Sequence, residues 1–135
     1  MRFMIMFRGE TDTEATAPVC KESAEMRRLI AQMADEGILL STEGLRESAR
    51  GFRARLSGGK MNVMDGPFAE AKELIAGYAI VRADSRAGAL QIAERFLRVA
   101  PEGSSAEVRE VLETADTDHV ERNPRAGRVA ALPLS

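Results

Sequence analysis

The densest run of side chains able to do chemistry lies between Asp65 and Tyr78, where Asp65, Glu70, Lys72, Glu73 and Tyr78 bring carboxylates, an ammonium and a phenol together. Groups of these types around one pocket perturb one another's proton affinities and can bind a polar ligand or move a proton. Asp65-Gly66-Pro67 is also turn chemistry, because Asp bonds neighbouring backbone N–H groups, Gly relieves the backbone and Pro fixes φ. Two readings therefore stand for Asp65: a turn residue, and a carboxylate held at a strand end as ligand contact or acid/base. The Glu70 to Glu73 run by itself reads as a solvated charged face. Glu43, at the end of an earlier strand, is a further pocket carboxylate. The candidate ligand-binding set is Glu43, Asp65, Glu70, Lys72 and Tyr78, with Asp65 as the candidate catalytic residue.

Other residues carry less. Arg53 and Arg55 alternate along a strand and are expected to face solvent, although paired guanidinium groups can hold an anion. Gly58-Gly59-Lys60 resembles the end of a phosphate loop, but the upstream Gly and following Ser or Thr are missing. Cys20 is the single cysteine and His119 the single histidine, which excludes an internal disulfide and a Cys/His zinc site within one chain. Cys20 near a helix start could have a lowered pKa, but no histidine stands beside it to make a catalytic pair. No cofactor and no metal are expected.

These groups need elements to hold them. Phe3 to Phe7 is a short continuous apolar run, the pattern of a strand covered on both faces. Met26, Leu29, Ile30 and Met33 follow helical spacing, and Gly37 ends that helix. Ile38 to Leu45 contains a second strand. Phe52, Ala54 and Leu56 alternate with Arg53 and Arg55 as a half-buried strand, Gly58-Gly59 makes a tight hairpin, and Met61 to Met64 returns. Ala76 to Val81 is a strand with Tyr78 and Ile80 on one side and Ala79 and Val81 on the other. Asp84 or Ser85 caps a second helix with the stripe Ala89, Ala93, Phe96 and Leu97. Ala106 to Leu112 fits either a helical face or a strand side, and the order of elements favours a strand. From Thr117 onward the chain reads as an arm or tail.

The order gives an α+β fold: a ferredoxin-like β-α-β-β-α-β plan with an inserted hairpin. Two helices cover only one face of such a sheet. The apolar character of Phe3 to Phe7 on both faces then leads us to expect a second sheet against the other face, from an identical subunit, and so a homodimer. At 135 residues and 44% hydrophobic content the chain has the size and composition of one globular domain. A net charge of −2 and 4% aromatic residues argue against direct nucleic-acid binding. No apolar run approaches a membrane span and Met1 to Phe7 is too short for a signal segment, so no membrane association and a cytoplasmic location are expected.

The stretch Asp65-Gly66-Pro67-Phe68-Ala69-Glu70-Ala71-Lys72-Glu73-Leu74-Ile75-Ala76-Gly77-Tyr78 closely resembles the signature of the DGPF group of YCII-related proteins. The likeness extends to the Met-rich first strand, to Gly37-Ile38-Leu39-Leu40 with Glu43-Gly44-Leu45, and to the helix after Asp84. It covers most of residues 1–115, read as one domain, and leaves 116–135 as a C-terminal arm or tail. The resemblance implies a dimeric α/β barrel and a strand at Ala106 to Leu112. It implies either a small-molecule-binding or enzyme-like dimer, or a non-catalytic regulatory module associated with a sigma-70-type factor in transcription initiation. In enzyme-like relatives a histidine pairs with an aspartate. Asp65 matches the aspartate, but no histidine stands between Pro18 and Met33, and Ala71 replaces a hydroxyl residue.

Overall fold

A computed structural model describes residues 1–8, 23–68 and 74–113. Cys20, Glu70, Lys72, Ala71, His119 and the expected tail lie outside the described residues. The chain runs β1 (Arg2–Arg8), α1 (Ala24–Asp35), β2 (Leu39–Gly44), a 3₁₀ turn (Ser48–Arg50), β3 (Phe52–Ser57), β4 (Lys60–Asp65), β5 (Gly77–Arg82), α2 (Arg86–Val99) and β6 (Ser105–Glu110). The Ala106 to Leu112 segment is therefore a strand, as element order favoured.

Both helices begin and end on local signals. Ser23 Oγ accepts from the Met26 N–H at 2.9 Å, and Ser85 Oγ accepts from the Gly88 N–H at 3.1 Å, which assigns the second cap to Ser85. At the end of α1 the Gly37 N–H donates to the Ala34 carbonyl and the Ile38 N–H to the Met33 carbonyl. That pair of bonds satisfies carbonyls the helix leaves open, and it requires Gly37 at φ 78°.

The main sheet has four strands in the order β2-β5-β1-β6, with every neighbouring pair antiparallel. This order, with α1 and α2 as connections, is compatible with the ferredoxin-like plan. The register sorts side chains onto two faces, since directly opposed residues share a face. Phe3 lies opposite Val81 and Ile5 opposite Ala79, and these four are buried with Met26, Met33, Ala89, Ile92, Ala93 and Phe96 in one apolar cluster. Both helices thus cover the same face. Phe7 closes its end with an edge-on contact to Phe96, ring centroids 5.2 Å apart. In α2 the expected stripe is buried at Ala89, Ala93 and Phe96, but Ile92 completes it and Leu97 is only half-buried.

The opposite face carries Met4 against Ile80 and Met6 against Tyr78, all four half-buried. In the single chain, then, β1 buries one face fully and the other only in part.

The hairpin departs from expectation. β3 and β4 form their own two-stranded sheet, joined through Gly58 and Gly59 at φ 58° and 78°. The alternation predicts a half-buried strand, yet every residue of both strands is exposed. Alternation encodes which face a strand wants covered but says nothing about what covers it. Among the described residues none buries this face.

Candidate functional site

The Asp65 turn is built by backbone approach. The Gly66 N–H donates to the Gly51 carbonyl at 3.0 Å, and the Phe68 N–H donates to Ser48 Oγ at 3.2 Å. A Cβ at Gly66 would lie 1.8 Å from the Ser48 carbonyl oxygen, so only glycine lets the turn close on the 3₁₀ segment. The Gly66–Pro67 peptide is cis. The Phe68 ring then receives the Arg53 guanidinium at 4.0 Å from its centroid. Arg53 is thus a lid on the aromatic of the turn as well as a surface cation. Asp65 itself ends β4 opposite Phe52 and is exposed. Among the described residues the turn is held by Ser48, Gly51 and Gly66, with no hydrogen bond to the Asp65 carboxylate.

Glu43 and Tyr78 meet on the main sheet. They are cross-strand partners of β2 and β5, with Tyr78 half-buried and Glu43 exposed on the face away from the helices. The Thr42 hydroxyl donates to the Tyr78 carbonyl at 2.8 Å and fixes the strand pair at this point. Directly below, Gly44 opposes Gly77, and a Cβ on Gly77 would come within 2.8 Å of the Glu43 carbonyl oxygen. Glycine at 77 therefore lets β2 and β5 approach closely where the two candidate side chains sit. On the far side of Tyr78, Met6 is its partner in β1, and Arg8 Nη2 donates to Glu107 Oε1 of β6 at 2.8 Å. Arg8 Nε is buried without a hydrogen bond.

The structure thus brings Glu43 and Tyr78 together and places Asp65 in the other sheet. The chain leaves β2 at Gly44 and enters the 3₁₀ turn at Ser48, so the Asp65 turn emerges from the end of the sheet that carries this pair. Glu70 and Lys72 lie outside the described residues. Sequence reasoning missed Ser48, Gly77, Arg8 and Glu107. Gly77 carried a signal, as a glycine inside a strand pattern marks close backbone approach. Arg8 and Glu107 become visible only through the register, and Ser48 only through the closure of the turn onto it.

Among the described residues no polar or charged residue is fully buried, so nothing there shuts a carboxylate away from water. No group of three or more His, Cys, Asp or Glu among them is placed to hold a metal ion. The Glu113 carboxyl is held below the usual glutamate range by the hydrogen bond from the Arg2 guanidinium, whose Nε lies 2.9 Å away. No described helix is long and apolar enough to cross a membrane.

Compared with known protein families, residues 1–115 match the YCII-related domain. No curated protein matches the chain.

Proposed function

The chain belongs to the YCII-related family, and from that premise we propose that it is a dimeric small-molecule-binding module of the DGPF group. Its ligand contacts the open sheet face at Glu43 and Tyr78, with the Asp65 turn at the margin. The observation that carries this reading is the Glu43–Tyr78 cross-strand pair, a carboxylate beside a phenol on a face that is apolar at its centre. Such a surface grips the body of a ligand through Met6 and Ile80 and orients it through a few polar groups. Sheet-on-sheet packing of two copies, as in a dimeric α/β barrel, would enclose it. The exposure of the carboxylates supports binding over acid–base chemistry, because catalytic proton transfer is tuned by burial.

The test is a binding screen of small polar metabolites on the purified chain, followed by Tyr78→Phe, Glu43→Gln and Asp65→Asn. Tyr78→Phe and Glu43→Gln are each expected to weaken a hit about 10-fold, the loss of one hydrogen bond of about 1.5 kcal/mol. Asp65→Asn is expected to weaken it less. A hit that binds equally well to Tyr78→Phe and Glu43→Gln places the site elsewhere and sinks the proposal.

A second reading, a non-catalytic regulatory module that meets a sigma-70-type factor, is favoured by one observation. The Gly66–Ser48 closure gives the Asp65 turn a structural role independent of any chemistry. Co-purification of such a factor with both wild type and Asp65→Asn, without any ligand, would support this reading against the first.

A further inference from the structure

The β3–β4 register sorts the hairpin into two unlike faces. Phe52, Ala54 and Leu56 lie with Val63, Met61 and Asp65 on one side, and Arg53, Arg55 and Ser57 lie with Met64, Asn62 and Lys60 on the other. The first side is apolar except at its base, and the second is basic. On the apolar side Phe52, Leu56, Met61 and Val63 are 66%, 67%, 60% and 60% exposed. An isolated two-stranded hairpin is marginal in water and needs its apolar face covered. The hairpin's substantial contacts are between its own two strands. Something outside the described residues must therefore cover it.

The main sheet's open face carries an apolar stripe of the same width. Its paired apolar residues Met4, Met6, Tyr78 and Ile80 sit on β1 and β5. The outer strands contribute Ser41 and Glu43, and Glu107 and Arg109, to the same face. The result is an apolar stripe two strands wide between polar rims, and the hairpin's apolar side is also two strands wide. Arg2 and Arg82 close the open-face stripe at one end and Arg8 at the other, and the hairpin's stripe runs from Phe52 to Leu56 on β3. A stable interface takes about 20–30 residues a side, and the open face alone supplies roughly a dozen. The six residues of the hairpin's apolar side raise the total to about eighteen, close to the lower end of that range.

We infer that the β3–β4 hairpin is a dimer arm: in a pair of identical chains each arm lays its apolar side against the other chain, and arm and open face form one continuous interface. The inference rests on the dimer reading above and adds to it which segment reaches across. The two-fold arrangement explains how one sequence leaves two apolar surfaces of matching width unsatisfied, because each exchanges cover with its counterpart. It also positions the arm to enclose the Glu43–Tyr78 pair from the partner's side.

The test compares self-association of the full chain with that of Leu56→Asp/Val63→Asp on the apolar side and Asn62→Asp on the basic side. Sedimentation equilibrium measures the dimer dissociation constant, and far-ultraviolet circular dichroism checks that each variant is folded. The double variant is expected to dissociate at least ~100-fold more readily with an unchanged spectrum, and Asn62→Asp to shift less than ~5-fold, as hot-spot and rim positions do. Should the double variant misfold, amide exchange on the wild type decides: β3 and β4 amides are expected to lose protection on dilution below the dissociation constant. A wild-type monomer at all concentrations overturns the dimer reading and the arm with it. A wild-type dimer whose constant is unmoved by Leu56→Asp/Val63→Asp, or hairpin amides protected independently of concentration, overturns the arm alone.

Discussion

Gly66 shows how much of this molecule is decided by the absence of a side chain. Gly66→Ala would put a methyl carbon 1.8 Å from the Ser48 carbonyl oxygen, a backbone clash no rotamer change relieves. The turn would have to open, at an expected cost above ~2 kcal/mol in urea unfolding. Gly51→Ala in the same turn meets its nearest atom at 3.7 Å and is expected to stay within about 0.5 kcal/mol. The sequence marked Asp65-Gly66-Pro67 as a turn and drew attention to Asp65. It could not show that Ser48, far back in the chain, supplies the wall, because that contact depends on tertiary approach. Glu113 offers a pH signature at the same scale. Its folded pKa is depressed by Arg2, so the pair's contribution is present above the ordinary glutamate pKa of about 4.3 and lost as pH falls through the folded value. Since the carboxyl is open to solvent, the effect is small. Glu113→Gln is expected to flatten the dependence of the unfolding midpoint on pH below that range and to leave stability near neutrality little changed.

At the scale of elements, caps and periodicity were legible and partners were not. Ser23, Ser85 and Gly37 occupy positions whose chemistry starts or stops a helix wherever it is found. Ser85→Ala is expected to cost about 1 kcal/mol by removing the acceptor for the Gly88 N–H, measured as a shift in the denaturation midpoint. Gly37→Ala is expected to cost a similar amount, about 1 kcal/mol, because φ 78° suits only glycine without strain. The hairpin was equally legible as a hairpin, from Gly58-Gly59 and the alternating strands. Its exposure was not, since Phe52-Arg53-Ala54-Arg55-Leu56 would read the same packed on its own sheet or on another chain. The Glu43–Tyr78 pairing likewise required the β2–β5 register, which includes an irregularity between Leu39 and Ser41. A shift by one residue there would send Glu43 to the helix side.

The described residues divide into a four-stranded sheet buried on one side by two helices and a separate two-stranded hairpin. Phe96 and Ile5 lie at the centre of the buried side, exposed 1% and 0%. Phe96→Ala is expected to remove about 3–5 kcal/mol of stability by leaving a cavity under the sheet. The open side was foreshadowed by the apolar character of Phe3 to Phe7 on two faces, whereas nothing in the sequence pattern foreshadowed the exposed hairpin. The most direct measurement is a crystal structure of the full chain, purified without added ligands and inspected for what lies on the open sheet face. The expected result is a two-fold pair of chains with small-molecule density in contact with Tyr78 and Glu43. Tyr78 and Glu43 sealed beneath residues of their own chain, with no space for a ligand, would contradict it.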